Sequence, residues 1–540
     1  MPILHFKGKS VIQNHHHTVK FHELEAAKAK GLSKEPSLDD NLIIHGDNLI
    51  ALKALLPTYA GKVKCIYIDP PYNTGNENWV YNDNVNSPMI KEWFGKEVAR
   101  DDLTRHDKWC CMMYPRLTLL RDLMRDDGVI FVSIDDNEVE HLRMMMNEIF
   151  GIDNFIATVI WQKIYAPKNS ARHFSEDHEY IVVYTKNSEI WKPLLLPRSE
   201  ESNAQYGNPD NDPRGLWRPN NLAARNYYSK GTYAIKCPGG RKIEGPPKGS
   251  YWRVSEEHFW ELDKEGRIWW GDDGNNVPAP KIFMSEVMQG RVPETLWTYQ
   301  EVGHTQDAKR ELLSILNFEN SEEVFITPKP STLIEHVLRI GADKDSIVLD
   351  SFAGSGTTAH AVLSRNAEDG GNRRFILVEC EDYADKLTAE RVRRVCKGVK
   401  GAKDEKLKKG FGGTFSYYEL GKPIDMDKML EGDDLPSYKN LAQYSFFTAT
   451  GETFNPKKVN EKEFYIGSSS TYEVFLLYVP DAAKLRGMAL NLDFAQKIEK
   501  KFPGKPKLVF APACFFEEYD LRERNIRFAQ LPFEIYRLAE

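Results

Sequence analysis

A rigid polar turn follows an apolar run near the start of the chain, and its residues could do chemistry on an amino group. Asp69 offers a carboxylate and Pro70 a carbonyl whose direction Pro71 restricts, while neither proline has an N–H that would occupy these acceptors. Two fixed acceptors could hold the N–H groups of an exocyclic amino group and make its nitrogen a better nucleophile. Tyr72 adds a flat face on which a base taken out of its stack could lie. On its own, the motif also fits an ordinary Asp-Pro-Pro turn.

A second candidate site is a glycine turn that follows an apolar run ending on Asp350. Glycines at positions 354 and 356 would let a ligand approach the backbone closely. The next apolar run ends on Glu379, an acid that could accept hydrogen bonds from both ribose hydroxyls of a nucleoside. No lysine follows the glycines, as a P-loop requires, and His360 lies near the place of a dinucleotide fold's third glycine. The turn therefore favours a nucleoside without phosphates, such as S-adenosylmethionine, although a tight turn without a ligand remains open.

Both candidate sites need a scaffold, and the hydrophobic pattern predicts one. Short β-branched runs predict strands at residues 41–45, 63–68, 129–134, 178–186, 346–350 and 373–379. Helical apolar spacing predicts helices within residues 49–56, 115–128, 139–151, 327–341, 354–366 and 382–398. Strands that alternate with helices predict an α/β fold with a mostly parallel, doubly wound sheet.

Two regions depart from this alternation. Residues 191–295 are rich in Gly, Pro, Asn and aromatic residues, which predicts an inserted module of short strands and loops. A basic, glycine-containing stretch near residue 400 predicts a linker to a small separate α/β domain over residues 401–540. The insert interleaves arginines, which can pair with guanine edges or phosphates, with aromatic residues that can stack on bases or else form a small core. These residues are Arg214, Arg218, Arg225, Arg241 and Arg253, with Trp217, Tyr227, Tyr228, Tyr251 and Trp252.

The composition is typical of a globular protein. Hydrophobic residues make up 41% and charged residues 28% of the 540 residues, and no apolar run reaches the length of a membrane span. Seven scattered cysteines without a CxxC pair predict reduced thiols in the cytoplasm rather than disulfides or a zinc ribbon. The run His15–His17 predicts no metal site, because three consecutive residues cannot all face one ion. The net charge of −7 still allows a local basic patch that engages nucleic acid.

The two motifs together resemble a known family. DPPYNTGN at residues 69–76, followed far downstream by DSFAGSGTT at 350–358, resembles the β-class amino-methyltransferases of DNA, above all the modification subunits of type III restriction-modification systems. The resemblance implies a Rossmann-like, S-adenosylmethionine-dependent methyltransferase fold that is circularly permuted, with the catalytic half before the cofactor half. It also implies an N-terminal extension (1–40), a catalytic half (41–190), a target-recognition insert (191–295), a cofactor-binding half (296–400) and a C-terminal domain for partner or DNA contacts (401–540).

Carried over by position, the resemblance assigns a role to each motif. The catalytic motif would consist of Asp69, Pro70, Pro71 and Tyr72. The cofactor loop would consist of Asp350, Phe352, Ala353, Gly354 and Gly356, with Glu379 as the ribose-binding acid. Asp47 would touch the adenine ring of the cofactor, and Lys329 would pair with its methionine carboxylate beside Ser331. For Asp47 and Lys329, helix capping or ordinary surface charge remains open.

The resemblance implies transfer of a methyl group from S-adenosylmethionine to the 6-amino nitrogen of a flipped adenine within a specific site of double-stranded DNA. An Asp at the head of the motif is typical of adenine-specific members, but its carboxylate alone leaves methylation of the cytosine 4-amino group open. A non-catalytic DNA-specificity subunit, a methylase of RNA or protein glutamine, and a dehydrogenase remain alternatives. The expected partners are a second copy of the chain and a restriction helicase-nuclease subunit, because the chain shows no helicase motif of its own.

Overall fold

The computed structural model contains two compact units. The first unit comprises Met1–Leu194 together with Glu294–Glu540, and the insert unit comprises Leu195–Pro293. No helix in the part of the chain that the structure describes is both long enough and apolar enough to cross a bilayer. The described residues are 3–74, 104–316, 327–424 and 435–531.

Strands and helices alternate along most of the first unit. Its strands are β1 (His22–Ala26), β2 (Leu42–His45), β3 (Val63–Ile68), β4 (Met124–Ile134), β5 (Phe155–Gln162), β6 (His178–Thr185), β7 (Leu296–Trp297), β8 (Ile347–Asp350), β9 (Arg374–Glu379), β10 (Ser416–Pro423), β11 (Tyr465–Ser468), β12 (Glu473–Leu476), β13 (Ala489–Leu490), β14 (Lys507–Ala511), β15 (Ala513–Cys514) and β16 (Ile526–Gln530). Its α-helices are α1 (Lys9–Ile12), α2 (His15–Thr18), α3 (Asn48–Tyr59), α4 (Arg105–Leu123), α5 (Val139–Phe150), α6 (Tyr299–Val302), α7 (Thr305–Ile315), α8 (Ser331–Gly341), α9 (Thr357–Asp369), α10 (Glu390–Lys397), α11 (Glu405–Lys409), α12 (Tyr438–Thr450), α13 (Ala482–Leu485), α14 (Leu492–Lys501) and α15 (Glu518–Glu523), and a π-helical turn, Ala384–Ala389, precedes α10.

Ten of these strands form one sheet in the order β1-β10-β2-β9-β8-β3-β4-β6-β5-β7. The six strands from β10 to β4 are parallel to one another. By contrast, β1 is antiparallel to β10, and β6 is antiparallel to both β4 and β5. This arrangement confirms the predicted α/β fold with a mostly parallel sheet. Strands β3 and β8 are direct neighbours, with Ile66 opposite Leu349. Their carboxyl ends therefore lie side by side, and each is followed by one of the two candidate motifs.

Helices cover both faces of this sheet. On one face, Ile66 is fully buried in a core that includes Leu52 of α3 and residues of α4 and α5. On the other face, α8 packs so closely that a Cβ at Gly341 would come within 3.1 Å of the side chains of Cys65 and Phe131. The strand residues alternate between these two cores because successive side chains point to opposite faces of a strand. The sheet is therefore buried on both sides, as predicted for a doubly wound fold.

The structure corrects the predicted elements at three places. The helix predicted over 115–128 ends at Leu123, because the next residue, Met124, pairs with Val63 and begins strand β4. Strand β5 was not predicted, since its polar and apolar residues alternate irregularly around a shift in register. Strand β10 lies inside the range predicted for a separate C-terminal domain, yet it pairs with β2 and β1 of the large sheet. The division of the chain into a catalytic half (41–190) and a cofactor-binding half (296–400) stays a prediction.

The described residues form five smaller sheets besides the large one, three of them in the insert unit and one a pairing of β13 with β15. The C-terminal part of the first unit forms a four-stranded sheet in the order β11-β12-β14-β16. The insert unit consists of short strands around a small core that includes Trp252, Phe259 and Trp270. Its strands are Trp217–Pro219, Ala223–Ala224, Ile235–Lys236, Lys242–Ile243, Tyr251–Trp252, Ile268–Trp269 and Ala279–Phe283, and its helices are Glu200–Ala204 and Glu256–Lys264.

Candidate active site

A cavity of about 510 Å³ opens where β3 and β8 end. Both motifs contribute to its lining, although Asp69 and Asp350 lie 281 positions apart in the chain. Of the predicted site residues, nine line this cavity: Asp69, Pro70, Pro71, Tyr72, Lys329, Asp350, Phe352, Ala353 and Gly354. The structure thus brings both motifs to a single site, as adjacent parallel strands require.

Both oxygens of the Asp69 carboxylate have partners. The Tyr72 hydroxyl donates to Oδ1 at 2.8 Å, and the Lys329 ammonium donates to Oδ2 at 2.6 Å. Burial raises the pKa of Asp69 above its usual value, and the charge of Lys329 opposes that rise. Lys329 therefore contacts Asp69 of the predicted catalytic motif directly. Its pairing with a cofactor carboxylate stays a prediction.

A second carboxylate, that of the buried Glu179, contacts both Tyr72 and Lys329. Its Oε2 lies 3.0 Å from the Tyr72 hydroxyl, whose single proton is shared between Glu179 and Asp69. Glu179 also accepts a hydrogen bond from Lys163 at 3.1 Å and lies 3.6 Å from the Lys329 ammonium. Burial alone would raise the pKa of Glu179, but Lys329 and Lys163 outweigh it and lower that pKa. Burial would likewise lower the pKa of Lys329, and Asp69 and Glu179 raise it instead. Two acidic and two basic side chains thus lie together in a largely buried site.

The turn after Asp69 is fixed from outside the cavity. The buried indole N–H of Trp109, in α4, donates to the carbonyl oxygen of Pro71 at 2.7 Å. Asn73, two residues further, adopts a left-handed conformation with φ of 57°, and its side chain donates to Glu138. A left-handed backbone at a residue other than glycine is uncommon and needs such support. The backbone is therefore held at two points, at Pro71 and at Asn73.

The glycine turn is shaped by hydrogen bonds to two carboxylates. Asp350 accepts from the backbone N–H of Phe352 at 3.0 Å and from the Thr358 hydroxyl at 2.5 Å, and burial raises the pKa of Asp350 to about 7. Glu379 accepts from the backbone N–H of Gly354 at 2.6 Å. Gly354 has a φ of +50° and Gly356 a φ of +77°, so both occupy the left-handed region that favours glycine.

A buried arginine, Arg391, binds two hydroxyl groups at the end of this turn. Arg391 donates to the Ser355 hydroxyl at 3.0 Å and to the Thr357 hydroxyl at 2.8 Å. Its other terminal nitrogen pairs with Glu311 at 3.0 Å. Because Arg391 is fully buried, its charge depends on that one carboxylate, and the carboxylate also accepts a hydrogen bond from Ser331.

Four predicted site residues do not line the cavity. Asp47 caps α3 by accepting from the backbone N–H groups of Leu49 and Ile50, and it pairs with Arg116 at 3.1 Å. Ser331 begins α8 and binds Glu311, Gly356 lies deeper in the turn, and Glu379 is turned towards the backbone of the loop. Their roles towards a cofactor stay predictions.

Sequence reasoning missed the polar residues that strands β5 and β6 add to the site. Glu179 is the second residue of β6, and Lys163 directly follows β5. An acid inside the otherwise apolar run HEYIVVYT was a visible signal, because a carboxylate is rarely buried without a partner. Nothing local to either residue indicated which motif it would face.

The candidate DNA-contacting residues of the insert unit divide into two groups. Trp217 and Trp252 are 2% and 1% exposed and pack in the interior, as the core alternative predicted. Arg214 is held by Asp212 at 2.7 Å. By contrast Tyr227 is 78% exposed, and Arg225 and Arg253 are also exposed. These last three residues follow or flank the paired strands Ala223–Ala224 and Tyr251–Trp252, so they can act on one ligand together.

The chain is similar to proteins that are described as DNA methylases or methyltransferase subunits. A family model described as DNA methylase matches residues 63–390. The type III restriction-modification enzyme StyLTI Mod subunit of Salmonella typhimurium is 34% identical over 76% of this chain and 64% of its own length. The EcoPI Mod subunit of Escherichia phage P1 is 31% identical over 71% and 66%, respectively. The type II methyltransferase M.KpnI of Klebsiella pneumoniae is 32% identical over 66% of this chain and 84% of its own length.

The chain spans less than two thirds of the length of the two Mod subunits. The family model covers more than half of this chain, and the matched residues include both the Asp69 motif and the glycine turn. The protein therefore belongs to this family of DNA methylases.

Proposed function

We propose that the protein methylates the 6-amino nitrogen of an adenine at specific sites in double-stranded DNA, with S-adenosylmethionine as the methyl donor. The observation that carries this proposal is one cavity that is lined by both the partly buried Asp69 and the left-handed turn at Gly354. An amino group held by the first element would lie next to a nucleoside held by the second. The matched family and the Mod-type relatives support the same reaction class.

The cavity suits a nucleoside that carries a sulfonium. Its volume of about 510 Å³ lies within the range of small-molecule sites. Asp69 and Asp350 line it together with the rings of Tyr72 and Phe352, and carboxylates and aromatic faces both attract a cation. The left-handed turn at Gly354 leaves the backbone open to close approach. When bound, S-adenosylmethionine supplies an electrophilic methyl group on its sulfur.

Each residue of the catalytic motif then has a defined task. Asp69 accepts an N–H of the adenine amino group, which localises the lone pair on the nitrogen, and the restricted carbonyl of Pro70 accepts the second N–H. Tyr72 presents its ring to the flipped base. The charge of Lys329 opposes the rise in the pKa of Asp69 that burial causes, and so favours the ionised carboxylate. After transfer the amino nitrogen must lose one proton, and the carboxylate that it contacts, Asp69, is the base in place to receive it.

Substitution of Asp69 by alanine tests this proposal. We expect the variant to bind S-adenosylmethionine and to lose methyl transfer to DNA by about 100-fold or more, because a positioned acceptor contributes on that order. The matched control is Asp127→Ala, which removes another lysine-paired aspartate, 2.9 Å from Lys64, outside the cavity. The control should keep its rate. An Asp69→Ala variant that methylates as fast as the wild type would refute the proposal.

Analysis of nucleosides from methylated DNA tests the choice of base. We expect 6-methyladenine, because the acid at the head of the motif is typical of adenine-specific members of the resembled family. Detection of 4-methylcytosine alone would assign the cytosine reaction instead. Methylation of neither base, in the presence of bound cofactor, would favour a DNA-specificity subunit without catalysis.

The exposed residues of the insert unit are the proposed contacts to DNA. Charge reversal at Arg225 and Arg253 should weaken DNA binding and leave the affinity for S-adenosylmethionine unchanged, since neither residue lines the cavity. The matched control is Arg214, which is already paired with Asp212. Unchanged DNA affinity in the Arg225 and Arg253 variants would make the insert unit structural.

The relatives also suggest a system and partners. Because two of them are named as Mod subunits of type III restriction-modification enzymes, the protein would act as a homodimer beside a restriction helicase-nuclease subunit, on DNA in the cytoplasm. Co-purification from its host would identify that subunit, and light scattering would give the number of copies. Methylation by the isolated chain with no such partner in the host would instead indicate a solitary methylase.

A further inference from the structure

A second cluster of chemically active side chains lies beside the catalytic turn and outside the cavity. Nδ1 of His106 lies 2.7 Å from Oε1 of Glu138, and Nδ1 of His141 lies 2.9 Å from Oε2 of the same carboxylate. The ligand atoms of the three residues all lie within 4.8 Å of one another. None of the three contributes to the cavity that holds Asp69.

Two packed helices bring these residues together. His106 lies in the first turn of α4, and Glu138 directly precedes α5, in which His141 follows three residues later on the same face. The two imidazole rings are nearly parallel, with centroids 5.0 Å apart. One nitrogen of each ring therefore lies next to an oxygen of the carboxylate.

Burial differs across the cluster in a way that suits an ion. Glu138 is fully buried, whereas the side chains of His106 and His141 are 35% and 34% exposed. A buried carboxylate holds a strong negative charge out of water, and the half-exposed rings leave a path by which a cation and a water molecule can reach it.

The hydrogen bonding of the cluster is incomplete. Oε2 of Glu138 and Nδ1 of His141 are buried and lack a hydrogen-bond partner among the described residues, although they lie only 2.9 Å apart. The two atoms are close enough for a hydrogen bond, but their relative orientation does not allow one. Two such atoms that do not point at each other can both direct lone pairs at a third position, which is the geometry of metal ligands.

The other carboxylate oxygen is oriented by a neighbour. The side-chain amide of Asn73, itself buried, donates to Oε1 of Glu138. Ligating carboxylates are usually held by such outer hydrogen bonds. Asn73 also directly follows Tyr72 in the chain, so the cluster is mechanically connected to the end of the catalytic turn.

We propose that His106, Glu138 and His141 bind a divalent transition-metal ion of the Zn²⁺ type. Two imidazole nitrogens and one carboxylate oxygen are ligands that Zn²⁺ takes, with water completing the tetrahedron. The ion would bind α4 and α5 to the loop that follows Tyr72 and thereby support the proline pair. The positive ends of both helices oppose a cation at this place, and the buried carboxylate offsets them.

Zinc content of the full-length protein tests this proposal. The protein is dialysed against EDTA, loaded with Zn²⁺ and freed of excess metal by gel filtration. We expect one zinc ion per chain at this cluster, lost in His141→Ala and in Glu138→Gln. The double variant His15→Ala with His17→Ala is the matched control, because it removes two histidines outside the cluster, and it should keep the ion. Equal zinc content in the wild type and the cluster variants would overturn the proposal.

Thermal unfolding separates a metal site from a merely structural cluster. Zn²⁺ should raise the Tm of the EDTA-treated wild type and leave the Tm of His106→Ala unchanged. His106 is partly exposed, so its substitution carries less risk of misfolding than a change at the buried Glu138. A wild type whose Tm does not respond to Zn²⁺ would show that the three residues form only a hydrogen-bonded cluster. Neither readout depends on methyl transfer, so the metal proposal and the proposed function can fail separately.

Discussion

Removal of the Lys329 charge should make methyl transfer fail at low pH rather than at every pH. Lys329 is the only cation within hydrogen-bonding distance of Asp69 among the described residues, at 2.6 Å, and the lysine side chain is 9% exposed. Burial raises the pKa of Asp69, and Lys329 opposes that rise. In Lys329→Met the opposing charge is lost while an apolar chain of similar length still fills the space. The pKa of Asp69 should therefore rise further.

The size of the effect follows from the contact. A hydrogen bond to a charged group contributes about 1.5–3 kcal/mol, and 1.4 kcal/mol corresponds to a factor of ten. The ionised fraction of Asp69 should thus fall by about 10- to 100-fold at any pH below its pKa. Since the reaction needs the carboxylate, the acid side of the kcat/KM profile should move to higher pH, and the rate should recover as the pH rises.

The assay is initial-rate methylation of DNA over a pH series, together with equilibrium binding of S-adenosylmethionine. Lys329→Arg should keep the acid side near its wild-type position, because the charge remains. The matched control is Lys64→Met, which removes a lysine of similar burial, 12% exposed, from its ion pair with Asp127. If Lys329 served only the cofactor carboxylate, its loss would weaken cofactor binding and leave the acid side of the profile where it was. That result would refute the reasoning.

Four further substitutions test the rest of the site. Glu179→Gln should lower kcat about tenfold or more with cofactor affinity unchanged, because it removes a charged hydrogen-bond partner of the catalytic pair; a wild-type kcat would exclude a positioning role. Gly356→Ala should cost about 1–3 kcal/mol of stability in a denaturant titration and weaken cofactor binding, because φ is +77° and a Cβ would lie 3.0 Å from a backbone oxygen. Arg391→Met should cost about 3–5 kcal/mol in the same titration by leaving Glu311 without its cation, and a loss under 1 kcal/mol would contradict the buried pair. The pKa of Asp350 is raised to about 7, so protonation favours the folded state and stability should fall as the pH rises from about 4 to about 7; Asp350→Asn should remove that dependence.

Local sequence signals were sufficient for the two motifs and the strands that carry them. The strand predicted at residues 63–68 has those limits in the structure, because a β-branched run ends on an acid and two prolines cannot continue a central strand. The prediction of a mostly parallel sheet then implied that the end of β3 and the end of β8 could share an edge. The resulting cavity, with Asp69 and Gly354 in its lining, agrees with that expectation.

The residues that the sequence did not reveal depend on pairing between distant strands. Glu179 reaches the site because β6 runs antiparallel to β4, and Lys163 reaches it because β5 pairs with β6. A reversal of strand direction is decided by the packing of the whole sheet and leaves no mark on four or five neighbouring residues. The same holds for His106 and Glu138, which meet only because α4 and α5 pack together.

The arrangement around Asp69 raises the question of how a base can use a carboxylate that already has two partners. An ionised carboxylate offers about four lone-pair positions, so the Tyr72 hydroxyl and the Lys329 ammonium leave room for an additional N–H donor. The amino group therefore need not displace either partner, and the carboxylate keeps its charge while the base enters. Glu179 contacts the same two partners, since its Oε2 lies 3.0 Å from the Tyr72 hydroxyl and 3.6 Å from the Lys329 ammonium. The contacts of Asp69 with Tyr72 and Lys329 thus orient the carboxylate and leave it accessible to the base, and the charge of Lys329 favours its ionised form.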